Sequence, residues 1–201
     1  MQKDKIIELV RQSVFGGSAT SDRLHQADPR RIELDITAAF NTVFFQIFKK
    51  EPSNLDRYSK QYKNVDVSYD STTALYYSTL PAPIIQFPVT GDGIRRINTM
   101  QGVDITFVPV NQQDTELMYG LEFDEIDDVI GYYLNGSTVY YYNHDDTITS
   151  VKMDLVVPFT EWDMNEDVPV PSGKDLEIIN IVREMYNLKP IDRLNNQNEL
   201  A

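Results

Sequence analysis

Apolar residues recur at helical spacing at both ends of the chain and alternate with polar ones in its middle. Ile6, Ile7, Val10 and Val14 fall on one helical face, the pattern of a helix with one buried stripe. Gly16-Gly17 closes that run, where a left-handed cap is needed. A polar loop follows, and Asp28-Pro29 opens a second helix, because aspartate caps and proline at the first helical position loses no hydrogen bond. Ile32, Ile36, Ala39, Phe40, Val43, Phe44, Ile47 and Phe48 form its wide apolar stripe. Lys49-Lys50 suit the negative end of the helix dipole, and Pro52 stops the run. The expectation is a helical hairpin over residues 1–52.

Residues 53–165 read as a second module, with a short amphipathic turn around Leu55–Tyr62 leading into antiparallel β structure from residue 63. Val65, Val67 and Tyr69 alternate, as do Val151, Met153, Leu155 and Val157. Between them lie short β-branched or aromatic runs at residues 75–77, 84–87, 94–97 and 103–108, separated by Pro, Gly, Asp and Asn. The clearest hairpin spans residues 132–142, with Asn135-Gly136 as a type I′ turn pair. Strands at this spacing predict a small sandwich or barrel-like domain. A third module, 166–201, starts with the extended linker Val168-Pro169-Val170-Pro171. Ser172 and Asp175 resemble a capping box. Leu176, Ile178, Ile179, Val182, Met185 and Tyr186 make one helix, Pro190 ends it, and an Asn- and Gln-rich tail follows. The predicted fold class is therefore α+β.

Composition narrows the chemistry. The chain has 201 residues and no cysteine, which removes disulfides, thiolate metal sites and cysteine nucleophiles. Two histidines, His25 and His144, leave no HExxH helix. The net charge of −13 disfavours non-specific nucleic-acid binding, since repulsion replaces counterion release. The charge is uneven: residues 1–50 carry a net +2, residues 51–160 a net −10 and residues 161–201 a net −5, as distinct modules would. Lys3, Asp4, Lys5 and Glu8 interrupt any signal-peptide core, and no apolar run is long enough to span a bilayer. The expectation is a soluble product made in the cytoplasm, without membrane contact.

No catalytic pattern emerges. The acid run Glu122, Asp124, Glu125, Asp127 and Asp128 offers oxygen ligands but lacks EF-hand spacing and reads as a solvated loop. His144-Asp145-Asp146 reads as a turn. Gly91-Asp92-Gly93, before Arg95-Arg96, lacks a phosphate-loop pattern and also reads as a turn. No GxSxG elbow exists. Glu161-Trp162-Asp163 reads as a partly buried anchor rather than a sugar site. The tyrosine run 132–133 and 140–142 is the unusual feature. Consecutive aromatics on a strand point to both faces, so one face either lies in a two-sided sheet or meets a partner. No metal, cofactor or enzymatic role is expected.

The segments Lys-Ile-Ile-Glu-Leu-Val-Arg-Gln-Ser-Val-Phe-Gly-Gly (5–17), Asp-Pro-Arg-Arg-Ile-Glu-Leu (28–34) and Asp-Leu-Glu-Ile-Ile-Asn-Ile-Val-Arg-Glu-Met-Tyr-Asn-Leu-Lys-Pro (175–190) carry a resemblance. They look like the beginnings and endings of virion neck and tail proteins of crAss-like and related podoviruses. The layout of helical hairpin, β domain and C-terminal helix is similar to the head–tail adaptor or gatekeeper ring proteins of short-tailed phages. The resemblance implies a virion structural protein that forms a ring, often of twelve subunits. Such a ring would contact the portal and other neck or tail proteins and let genomic DNA pass without sequence-specific binding. It implies no catalytic residue. The candidate interface residues are Tyr133, Tyr141, Tyr186, Leu188, Pro190, Ile191 and Leu194. Two other readings stay open: a glycan- or protein-binding module using exposed tyrosines and Trp162, and a carboxylate-dependent hydrolase using the 122–128 acids.

Overall fold

Helix formation starts where the capping chemistry requires it. The Asp28 side chain accepts from the Arg30 N–H at 3.0 Å, and α2 runs from Pro29 to Lys50. The computed structural model describes residues 1–16, 28–87, 93–100, 105–111, 129–144, 146–171 and 173–191. The first helix, α1, spans Lys3–Phe15 and ends on Gly16 at φ +77°, a backbone conformation that glycine adopts without strain. A 3₁₀ turn follows α2 over Pro52–Tyr58 and does not reach Tyr62; the first strand begins at Lys60 instead of residue 63. Helix α3 spans Asp175–Met185. Ser172 lies outside the described residues. Asp175 is the first helical residue of α3, and the Lys174 side chain makes no capping hydrogen bond.

The protein is mixed α+β, and it divides into two compact units. One joins residues 1–58 to the segment from Pro158 onward; the other is Ser59–Val157. This differs from the expected division at 1–52, 53–165 and 166–201. The last helix is not a separate module, because its apolar residues need a partner: Ile178 and Val182 are buried, and α3 packs on both α1 and α2. Ile6, Val10, Ile32, Ile36, Phe40, Val43, Phe44 and Phe159 complete that core. A buried cation pins it. Lys3 Nζ meets Glu33 Oε1 at 2.5 Å and donates to the carbonyls of Trp162 at 2.7 Å and Thr160 at 3.1 Å. Burial of an ammonium is tolerated only when it is paired and hydrogen-bonded in this way.

In the second unit, strands β1 (Lys60–Asp66), β8 (Ser150–Leu155) and β4 (Ile94–Thr99) form one sheet in the order β1-β8-β4. Strands β2 (Ser68–Asp70), β3 (Leu75–Thr79), β7 (Thr138–Tyr142), β6 (Val129–Asn135) and β5 (Thr106–Pro109) form the other, in the order β2-β3-β7-β6-β5. No closed barrel is present among the described residues. Alternation sorts the central strand cleanly: Val151, Met153 and Leu155 are fully buried, while Ser150, Lys152 and Asp154 are not.

The sheets depart from the sequence reading in three places. First, β5 pairs with β6 in parallel, so the unit is not purely antiparallel. The chain between the two strands is long enough for the crossover that parallel pairing needs. Second, Asn135 pairs with Thr138, which leaves Gly136-Ser137 as the two-residue loop. Gly136 takes φ +62° and Ser137 does not; positive φ at the first loop position alone is a type II′ turn, not the expected type I′. Third, residues 84–87 form no ladder strand. The Ile85 N–H donates to the Val156 carbonyl at 2.9 Å, and the Val156 N–H donates to the Gly93 carbonyl at 2.7 Å. This approach is close enough that a Cβ on Gly93 would lie 2.6 Å from the Ile85 oxygen. Gly91 and Asp92 of the expected turn lie outside the described residues, as does the 103–104 part of the run before β5.

Candidate functional site

Cross-strand register sorts the tyrosines into two rows. Tyr76, Tyr141 and Tyr132 face one another across β3, β7 and β6; Tyr77, Tyr140 and Tyr133 do the same one residue along. Tyr141 is 1% exposed and belongs to the core, so its assignment as an interface residue is corrected. Its strand position points it inward with Val139, and the Phe107 ring packs edge-on at 6.0 Å. Burial pushes the Tyr141 phenol well above its ordinary range. Ser78 lies near enough to temper that rise, but Ser78 Oγ donates to the Asp66 carbonyl. The Tyr141 hydroxyl has no hydrogen-bond partner among the described residues.

The second row is half-buried. Tyr133 stacks on Tyr140 at 5.1 Å and 15°, and on Tyr142 at 5.4 Å. Tyr77 lies 6.2 Å from Tyr140. The rings therefore cover one another first, and they leave a partly exposed aromatic strip that includes Tyr133.

The candidates near the C-terminus gather at the end of α3. Asn187 sits at φ +55°; its N–H donates to the Glu184 carbonyl, and the Leu188 N–H donates to the Arg183 carbonyl, both at 2.9 Å. These two bonds are the Schellman stop, with asparagine in the left-handed position. The sequence signal for it, Asn187 shortly before Pro190, is one that the sequence reading did not use. Tyr186 is engaged within its own unit: its hydroxyl donates to Asp35 Oδ2 at 2.7 Å and its ring meets Phe15 edge-on at 5.5 Å. Burial first, and then the Asp35 carboxylate, hold the Tyr186 phenol above its usual range. Arg183 donates to the Lys189 carbonyl and to the Ser13 carbonyl of α1. Beyond the exposed Pro190, the Asn180 amide clasps the Ile191 backbone from both sides, accepting its N–H at 2.8 Å and donating to its carbonyl at 3.2 Å. Leu194 lies outside the described residues.

The remaining chemistry stays sparse. Tyr76 stacks on His144 at 4.4 Å and donates to Asp146 Oδ1 at 2.5 Å. Trp162 is 7% exposed and offers no open face to a sugar. Among the described residues no group of three or more His, Cys, Asp or Glu could hold a metal ion. No helix among them is long and apolar enough to cross a membrane. His25, Asp145 and the 122–128 acids lie outside the described residues. The chain matches no protein-family model and no curated protein.

Proposed function

We propose that the chain is a virion structural protein, a ring-forming adaptor subunit of a phage neck or tail. It would join the portal to the tail around the DNA channel. Its layout on this reading is a helical hairpin with a C-terminal helix, carrying a sandwich-like β unit. One observation carries the reading beyond the terminal motifs. The three stretches that resemble neck and tail proteins, 5–17, 28–34 and 175–190, belong to one unit, and the last touches each of the other two. Arg183 donates to the Ser13 carbonyl, and the Arg31 guanidinium lies over the Tyr186 ring at 6.0 Å. Segments that share a resemblance and share a core fit one building block rather than chance likeness at two ends. The acidic balance also suits a channel that must not grip DNA.

Mass by light scattering tests the reading, on the chain alone and then mixed with its cognate portal protein. A closed ring in either sample is the expected result. A monomer that ignores the portal counts against it.

A further inference from the structure

The β6–β7 hairpin carries the chain's single asparagine–glycine pair, Asn135-Gly136. It sits at the tip, and both residues are exposed. Asn135 closes the ladder opposite Thr138, and Gly136-Ser137 make the loop. The surroundings leave the peptide between Asn135 and Gly136 open to chemistry. A Cβ placed on Gly136 would meet nothing within 4 Å, so the tip has room. The Gly136 nitrogen takes no part in the bonds that hold the turn, which are the ladder and the Leu80 N–H to the Ser137 carbonyl at 2.8 Å. Nothing among the described residues holds the Asn135 amide. By contrast, the amides of Asn143 and Asn180 donate to the carbonyls of Val129 and Ile191. Every other asparagine of the chain precedes a residue with a side chain, whose bulk hinders approach to its own nitrogen; glycine has none.

We propose that Asn135 is a site of spontaneous deamidation through a succinimide. Asparagine is a thermolabile side chain. The Gly136 backbone nitrogen gives its proton to hydroxide or a buffer base and attacks Asn135 Cγ. A carbon–nitrogen bond forms, and the side-chain amide leaves as ammonia. The ring holds Cα, Cβ, Cγ and the carbonyl carbon of Asn135 and the nitrogen of Gly136. Water then opens it. Attack at Cγ restores the ordinary backbone, with aspartate. Attack at the main-chain carbonyl carbon leaves isoaspartate, whose backbone runs through Cβ and Cγ. Water is consumed, ammonia is released, and nothing is oxidised or reduced. The ladder sets the rate. As a strand residue, Asn135 holds Cγ away from the next nitrogen, so its pair with Thr138 opens first; such local opening is least costly at the end of an element. The change stays at the tip, because Val139, in the next pair inward, is fully buried and anchors the ladder. It adds a carboxylate to a stretch, 51–160, that already has sixteen acids against six bases. This chemistry is independent of the adaptor reading.

The test is timed incubation of the full chain in warm, mildly alkaline buffer, followed by peptide mapping with tandem mass spectrometry. Asn135 should convert severalfold faster than any other asparagine, to aspartate and isoaspartate together. Methylation by an isoaspartyl methyltransferase reads the isoaspartate in the peptide that contains residues 133–142. Direct hydrolysis of the amide gives none. Asn135→Thr should remove that label. Circular dichroism checks that the variant folds; if it does not, the residue-level masses of the parent decide. Conversion at Asn135 should speed up in urea, where the ladder is gone. Another asparagine converting first overturns the proposal. So does aspartate without isoaspartate at 135, or an undiminished label in Asn135→Thr. Equal rates in urea and in buffer overturn the part given to the ladder.

Discussion

Tyr141 and Tyr186 show how little a residue type says without its surroundings. Both are tyrosines in segments that suggest an interface, and they differ in what meets the hydroxyl. That of Tyr141 is buried and has no hydrogen-bond partner among the described residues, with only the Ser78 hydroxyl near it, so its burial is poorly compensated. Tyr141→Phe should leave stability unchanged or raise it by up to about 1–3 kcal/mol in urea denaturation. A clear loss would reveal a hidden bond. The Tyr186 hydroxyl donates to Asp35, and its phenol is held above the usual range. A raised phenol contributes stability that is full below the unfolded value, about pH 10, and that is lost as pH rises through the folded value. Tyr186→Phe should therefore show a smaller fall in stability than the parent between pH 8 and pH 11. Equal falls would mean that Tyr186 does not ionise differently on unfolding. At Gly93 the constraint is steric, and no periodicity signals it, because the crowding atoms come from other segments, Ile84 and Ile85 on one side and Val156 on the other.

At the scale of elements, α2 was the most legible piece. Its cap, its proline, its stripe and its closing lysines all agree, and it spans the residues they indicate. Phe40 and Phe44 pack edge-on at 4.7 Å inside that stripe, and both are 1% exposed. Phe44→Ala should cost about 3–5 kcal/mol by calorimetry or denaturant titration; an unchanged melting curve would remove the stripe from the core. The β elements were half legible. The aromatic run at 75–77 marked β3, and the 132–142 hairpin pattern marked β6 and β7. Alternation found β8, whose buried and half-buried positions alternate cleanly, and it touched only β2 and the end of β1. It did not find the direction of β5, since parallel and antiparallel pairing leave the same local pattern. Nor did it separate residues 84–87 from a strand, since a buried extended segment has the same composition.

At the scale of the molecule, the prediction concerns assembly. Ile191 is held by Asn180 at the point where the tail begins. Deleting residues 191–201 should leave both units folded by circular dichroism and impair ring or portal association in light scattering. Normal assembly by the truncated chain would show that the tail is not a clasp. The separation of the two readouts matters, because Ile191, the one described residue that the deletion removes, bonds to Asn180 through its backbone and is not among the buried core residues.

The sequence by itself determined the α+β class, the ends of α2, the NG-containing hairpin as a hairpin, and the lack of cysteine and HExxH chemistry. These follow from local capping, periodicity and composition, which act within a few residues. Only the tertiary structure decided that residues from 158 onward join the first 58, that β5 runs parallel to β6, and that Tyr141 is core while Tyr133 remains partly exposed. Each of these depends on pairings between distant segments, whose free energy comes from burying surface that neither segment can cover alone.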